Sequence, residues 1–132
     1  MQQPSAESGS DGEPAHWEFY RVPGSSAKSP VAREFEKLPH TARAGLNEAM
    51  RRYQLGASRP GEVKSFNREG LIELRWRERN NPYRLIFKRL GSLLLALTAF
   101  YKNQEQTPRT DINRALERLS MWEQARRKPD QT

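Results

Sequence analysis

Hydrophobic residues are spaced in two ways along the chain. Where they alternate with polar residues they predict strands, and where they recur every three or four residues they predict helices. HWEFYRV alternates and is rich in aromatic rings, which predicts a first strand over residues 16–22. In SPVAREFEKLP, Ser29 is placed to cap a helix and Pro30 to fill its first position. Val31, Phe35 and Leu38 then fall on one face, and Pro39 ends the helix. A second helix runs from His40 or Thr41 to Leu55, with Leu46, Ala49, Met50 and Tyr53 in helical spacing and Gly56 as its stop. The two form a helical hairpin with one apolar side.

The strand pattern then dominates. VKSF is a candidate short strand. In GLIELRWRE, Ile72, Leu74 and Trp76 face one way and Glu73, Arg75 and Arg77 the other. RNNP is turn chemistry. YRLIFKRL sets Tyr83, Leu85 and Phe87 against Arg84, Ile86 and Lys88. LLLALTAFYK reads as a strand covered on both faces for most of its length. Thr107 and Pro108 open a last helix with an apolar stripe of Ile112, Ala115, Leu116, Leu119 and Trp122. The order predicts an α+β fold: an antiparallel sheet of about four strands, the N-terminal helical hairpin packed on it, and a C-terminal helix.

Residues 1–14 are rich in Ser, Gly, Pro and acid and have too little apolar surface to fold, so they are read as a disordered tail. Residues 15–127 are expected to form one domain, and 128–132 a second disordered tail. No apolar run nears the roughly 18 residues of a membrane helix. No basic segment followed by an apolar one suggests a secretory signal, so a cytoplasmic location is expected. The 132 residues include no cysteine, which excludes disulfides, cysteine nucleophiles and thiolate zinc sites. No cluster of acids with histidine suggests a metal, and no cofactor is expected. His16 and His40 lie off the basic strands and read as structural or solvated. Trp17, Trp76 and Trp122 read as core.

Charge changes the picture. The chain carries +7, yet Glu7, Asp11 and Glu13 make its first fourteen residues net negative, so the rest carries +10. A domain that basic suits a polyanion: nucleic acid, ribosome, acidic protein or anionic membrane. If Trp76 and Tyr83 share the core face across the hairpin, Arg75 and Arg84 share the other. If Phe87 and Leu93 are also on the core side, Lys88 and Lys102 join them. Arg75, Arg77, Arg84, Lys88 and Lys102 then collect on one face. Like charges so gathered repel unless an anion is bound, and a phosphate backbone rewards them. The competing reading is a solvated outer face, where charges belong in any case.

SPVAREFEKLP, GLIELR, YRLIF and FYKNQEQTPRTDINRA, in that order, make the chain resemble the HigB-like, phage-derived branch of the RelE/ParE toxin superfamily over roughly residues 16–120. The sequence departs from that pattern at Asn103, where family members usually carry a second basic residue. The resemblance implies a toxin of a type II toxin–antitoxin pair. Its RelE- and HigB-like members cut messenger RNA on the ribosome, without metal, by attack of the ribose 2′-hydroxyl on the adjacent phosphate. ParE-like members instead poison DNA gyrase, and a non-catalytic nucleic-acid-binding phage or prophage protein is a third reading. The implied partners are the ribosome, messenger RNA and a cognate antitoxin, expected as a helix-turn-helix protein from the adjacent gene, with no membrane. Arg84 and Arg75 match the family's Tyr-Arg and Leu-Arg arginines and take phosphate stabilisation. Lys102 and Lys64 are candidate cations or bases, with a base requiring a lowered pKa. Tyr101 is the candidate acid, against a reading as core. Lys64, Arg77 and Lys88 are assigned to RNA binding.

Overall fold

The computed structural model describes residues 14–66, 69–102 and 109–127. The expected disordered tails, apart from Pro14, lie outside the described residues, as do Asn103 and the Thr107–Pro108 cap. The described residues form five strands, β1 (His16–Phe19), β2 (Val63–Ser65), β3 (Leu71–Glu78), β4 (Asn81–Leu90) and β5 (Leu93–Tyr101), and three helices, α1 (Pro30–Glu36) and α2 (His40–Gln54) between β1 and β2 and α3 (Arg109–Arg127) after β5. The sheet order is β1-β5-β4-β3-β2.

The α+β class stands, with two corrections to the sheet. It has five strands where about four were expected, and it is mixed, because β1 runs parallel to β5. The cause lies in β5, whose residues Leu94–Ala99 are all buried. A strand covered on both faces needs a neighbour on each edge. β4 supplies one through a tight turn, and β1 fills the other. The first strand is also shorter than the expected 16–22. It stops at Phe19, before Tyr20 turns inward and the chain enters the Pro23–Gly24 turn.

The helices begin and end as their sequence requires. Ser29 Oγ accepts hydrogen bonds from the Val31 and Ala32 amides at the start of α1. Gly56, at φ +73°, closes α2 in the left-handed region that favours glycine. Both helices cover one face of the sheet. There Phe87 takes edge contacts from Trp17 at 4.8 Å and Tyr53 at 4.9 Å between ring centroids, and Phe19 meets Phe35. Trp17 also donates to the Met50 carbonyl. The helix α3 covers part of the opposite face, burying Ala115 and Leu119 and bringing Glu123 near Lys88. Among the described residues, no helix is long and apolar enough to cross a membrane.

Candidate active site

Strand pairing fixes which side chains share the face away from α1 and α2. Arg75 stands opposite Arg84, and Trp76 opposite Tyr83. Side chains alternate, so Glu73, Arg75 and Arg77 lie on one side with Arg84, Ile86 and Lys88. On β2, Lys64 pairs with Glu73 and joins them. Where α3 leaves this face uncovered, cations crowd around one acid.

Lys102 reaches the same face by an irregular route. At the start of β5, Leu93 pairs with Leu90 and so sits on the α3 side, opposite to expectation. Strict alternation from there would put Lys102 under α2. Between Ile86↔Thr98 and Phe87↔Ala96 the register slips, leaving Leu97 as an extra residue. This β-bulge reverses the facing of everything after it. Ala99 and Tyr101 therefore turn toward the α2 face, and Thr98, Phe100 and Lys102 join Arg84. The Lys102 amide then donates to the Pro82 carbonyl, which fixes the strand end beside the cluster.

The site is less solvated than the charges suggested. Arg84 and Lys102 are each 5% exposed, and Glu73 is fully buried. Glu73 stands 3.4 Å from the Nε atoms of both Arg84 and Arg75. Arg84 Nη1 donates to the Tyr83 carbonyl, while its Nε donates no hydrogen bond among the described residues. Burial lowers the Arg84 pKa, Glu73 opposes that, and Arg75 and Arg77 add to it; a guanidinium stays charged all the same. Burial also lowers the pKa of Lys102, followed by the positive charge of Arg84, with Glu73 acting in the opposite sense and Arg75 and Lys64 reinforcing the fall. The fall is in the direction that a base at this position needs.

A groove of about 380 Å³ opens beside the cluster, lined by Arg59, Pro60, Gly61, Glu62, Arg75, Trp76, Arg77 and Arg84. It exists because β2 pairs only as far as Leu74, leaving the end of β3 as an edge. The loop before β2 is tied down there by the Arg75 amide, which donates to the Glu62 carbonyl. The Glu62 carboxylate is clamped by the Arg52 guanidinium and accepts from the Arg59 amide.

Arg75, Arg77, Arg84, Lys64 and Lys102 therefore share one region. Two other candidates do not join them. Lys88 lies on the same face but four residues along β4, roughly 13 Å from Arg84 at strand spacing, where it approaches Glu123 of α3 at 3.9 Å. Tyr101 lies on the opposite face, its ring 5.3 Å from that of Tyr83 and its hydroxyl donating to Asn81. The bulge that delivers Lys102 turns Tyr101 away. Two groups were missed. Glu73 was placed on this face without a role, though an acid flanked by strand arginines was the available signal. Arg59 lies in a loop with no pattern to mark it. Both histidines sit apart on exposed positions, and among the described residues no three His, Asp or Glu side chains are grouped to hold a metal.

This fold is shared with a known toxin. The fold matches an arginine-to-alanine mutant of Escherichia coli RelE in the free state, with a TM-score of 0.59 and 13% identity, covering 81% of this chain and 99% of that one. A closer likeness is seen in two Mycobacterium tuberculosis proteins, from strains CDC 1551 / Oshkosh and ATCC 25618 / H37Rv, each named probable endoribonuclease HigB1. Each is 44% identical over 109 residues, which is 83% of this chain and 86% of the relative. Residues 33–120 match the family described as phage derived protein Gp49-like. The chain belongs to this Gp49-like, phage-derived family, a HigB-like branch of the RelE toxins.

Proposed function

We propose that this protein is the toxin of a toxin–antitoxin pair and an endoribonuclease that cuts messenger RNA on the ribosome. Its family membership and its 44% identity to probable endoribonucleases support the activity. The observation that carries the chemistry is the convergence of Arg84, Arg75, Lys64 and Lys102 around buried Glu73 on one sheet face.

The reaction is an internal displacement. Lys102, in the uncharged form that its lowered pKa favours, takes the proton of the ribose 2′-hydroxyl, whose oxygen then attacks the adjacent phosphorus. Arg84 and Arg75 hold the negative charge that builds on the phosphoryl oxygens. The bond to the 5′-oxygen breaks, and the exposed ammonium of Lys64 returns a proton to it. The products are a 2′,3′-cyclic phosphate and a 5′-hydroxyl. General base catalysis contributes about 10²–10⁴-fold, and each aimed cationic donor about 10²–10³-fold. A bound message held in line by the ribosome supplies much of the remainder. The protein acts in the cytoplasm, where ribosomes are, and its antitoxin is a helix-turn-helix protein encoded beside it.

Expression in bacteria with sequencing of message 5′ ends tests this, alongside cleavage of defined messages with and without ribosomes. The expected result is growth arrest, cut messages bearing 5′-hydroxyls, and cleavage only when ribosomes are present. Arrest with intact messages and broken DNA would make it a gyrase poison instead, and no arrest would make it a binding protein.

A further inference from the structure

The bulge at Leu97 places Lys102 on the cationic face, yet a bulge costs the strand its regular pairing. Its backbone groups must be satisfied by something else. On the far edge of β5 the strand β1 gives out at Ala96, where the Tyr20 amide makes the last bond, to the Ala96 carbonyl. Beyond that point two side chains take over. Arg118 of α3 donates from Nη1 to the Leu97 carbonyl at 2.8 Å. Glu34 of α1 accepts at Oε1 from the Ala99 amide at 3.1 Å and from the Thr98 hydroxyl at 3.0 Å. The two side chains also hold each other, Arg118 Nη2 to Glu34 Oε2 at 2.8 Å, and the Arg118 guanidinium lies 5.9 Å from the Tyr20 ring centroid. One ion pair therefore spans both layers of helices and grips the three residues at which β5 changes its facing.

We propose that Glu34 and Arg118 are positioning residues, a clamp on the Leu97 bulge that keeps Lys102 among the cations of the site. They act through the strand and touch no substrate. Without the clamp the bulge can be lost, the strand end from Thr98 to Lys102 slipping against β4 to absorb the extra residue. Slippage by one position sends Lys102 toward the α2 face and Tyr101 toward the site. The kinetic part of this inference rests on the reaction proposed above, whereas its structural part does not.

The tests use Glu34→Gln, which removes the charge pair, and Arg118→Lys, which keeps the charge but loses the forked donors. Charged groups that set the titration of Lys102 are Lys64 on β2, Glu73 and Arg75 on β3, and Arg84 on β4. If Lys102 leaves them and its burial, its pKa rises. The expected result for both variants is a fall in kcat of about 10–100-fold, the loss that follows misplacing a reacting group by about an ångström, with KM within twofold. The rising limb of the pH–rate profile also moves to higher pH, and Arg118→Lys is milder than Glu34→Gln. Met50→Ala, matched for loss of stability, leaves kcat and the limb in place below its melting range. NMR titration of the Lys102 ammonium in Arg118→Lys reads the same displacement without any turnover, so it decides the matter even if the wild type cuts no RNA. A folded Arg118→Lys with unchanged Lys102 titration and unchanged kcat overturns the clamp. Should Glu34→Gln fail to fold, Arg118→Lys decides alone.

Discussion

Arg75 on β3 stands directly across from Arg84 on β4, and the carboxylate of Glu73 lies 3.4 Å from the Nε of each. Two like charges facing each other across a ladder repel, so their juxtaposition persists only with an anion near. Glu73 partly supplies it, and in the reaction proposed above a phosphodiester arriving from the open side would complete it. Replacing Arg84 by Ala removes the more buried of the two and leaves Glu73 with less compensation. Message cleavage is expected to fall by about 10²–10³-fold. Arg84→Lys should recover little of this, because an ammonium on a flexible stem cannot reproduce the fork. Cleavage rates for the three proteins, measured at saturating ribosomes, check the order.

Lys102 is a buried cation whose charged form the fold penalises, chiefly through burial and then through Arg84. Its folded pKa is below its unfolded one. Between the two values the unfolded chain binds a proton that the folded chain does not, so stability rises with pH across that window and is lowest below it. Lys102→Met keeps the bulk and removes the charge. It is expected to stabilise the protein at neutral pH by ~1 kcal/mol, to flatten that rise, and to abolish cleavage. Urea melts from pH 7 to 10 check the first two effects. A variant both more stable and inactive is the signature of a residue kept for function.

Periodicity revealed the face before the structure did, because Arg75, Arg84, Trp76 and Tyr83 obey plain alternation within one hairpin. Lys102 was assigned to the same face through two errors that cancelled. Leu93 was placed with Phe87, although the Leu90↔Leu93 turn puts it on the other side, and the Leu97 bulge restored the parity. Nothing in LLLALTAFYK marks the bulge, since the residues around it are apolar but for Thr98, a common strand residue, and Glu34 and Arg118, which bond to it, are far off in sequence. Plain alternation sets Tyr101 and Lys102 on opposite faces, and the bulge fixes which of them faces Arg84. β1 joined β5 in parallel for a similar reason: non-local edge pairing leaves no local signature. Local features such as the Ser29 cap and the Gly56 stop were fully legible, because their partners lie within a few residues.

Gly45 sits in the middle of α2, where glycine is ordinarily a weakness. An added Cβ there would lie 2.0 Å from Cε2 and 2.1 Å from Nε1 of Trp76. That ring is held by its hydrogen bond to Glu78 and lines the groove beside the cationic cluster. Gly45→Ala, which in an open helix would stabilise by about 1 kcal/mol, is therefore expected to cost ~1–3 kcal/mol by overpacking and to weaken cleavage by displacing the end of β3. Gly45→Ala combined with Trp76→Leu should recover most of the stability. Thermal melts of the single and double variants form the required cycle.

Glu62 is 7% exposed and is held by Arg52, with the Arg59 amide adding a further bond. Its pKa is lowered, first by the hydrogen bond from Arg52 and against the effect of burial. A carboxylate with a depressed folded pKa contributes stability that is fully present above its unfolded value, about 4.3, and is lost as pH falls through the folded one. Glu62→Gln removes that contribution and leaves Arg52 less compensated, costing ~1–3 kcal/mol at pH 7. Because the wild type forfeits the pair in acid anyway, the two proteins should converge in stability only once the pH has fallen below the lowered folded pKa of Glu62. The variant also loosens the loop that carries Arg59 along the groove, so RNA affinity should drop at neutral pH. Denaturation midpoints followed from pH 7 down into acid read the convergence, and a gap that never narrows down to the acid limit of folding would show that the Arg52–Glu62 charge pair contributes nothing of its own.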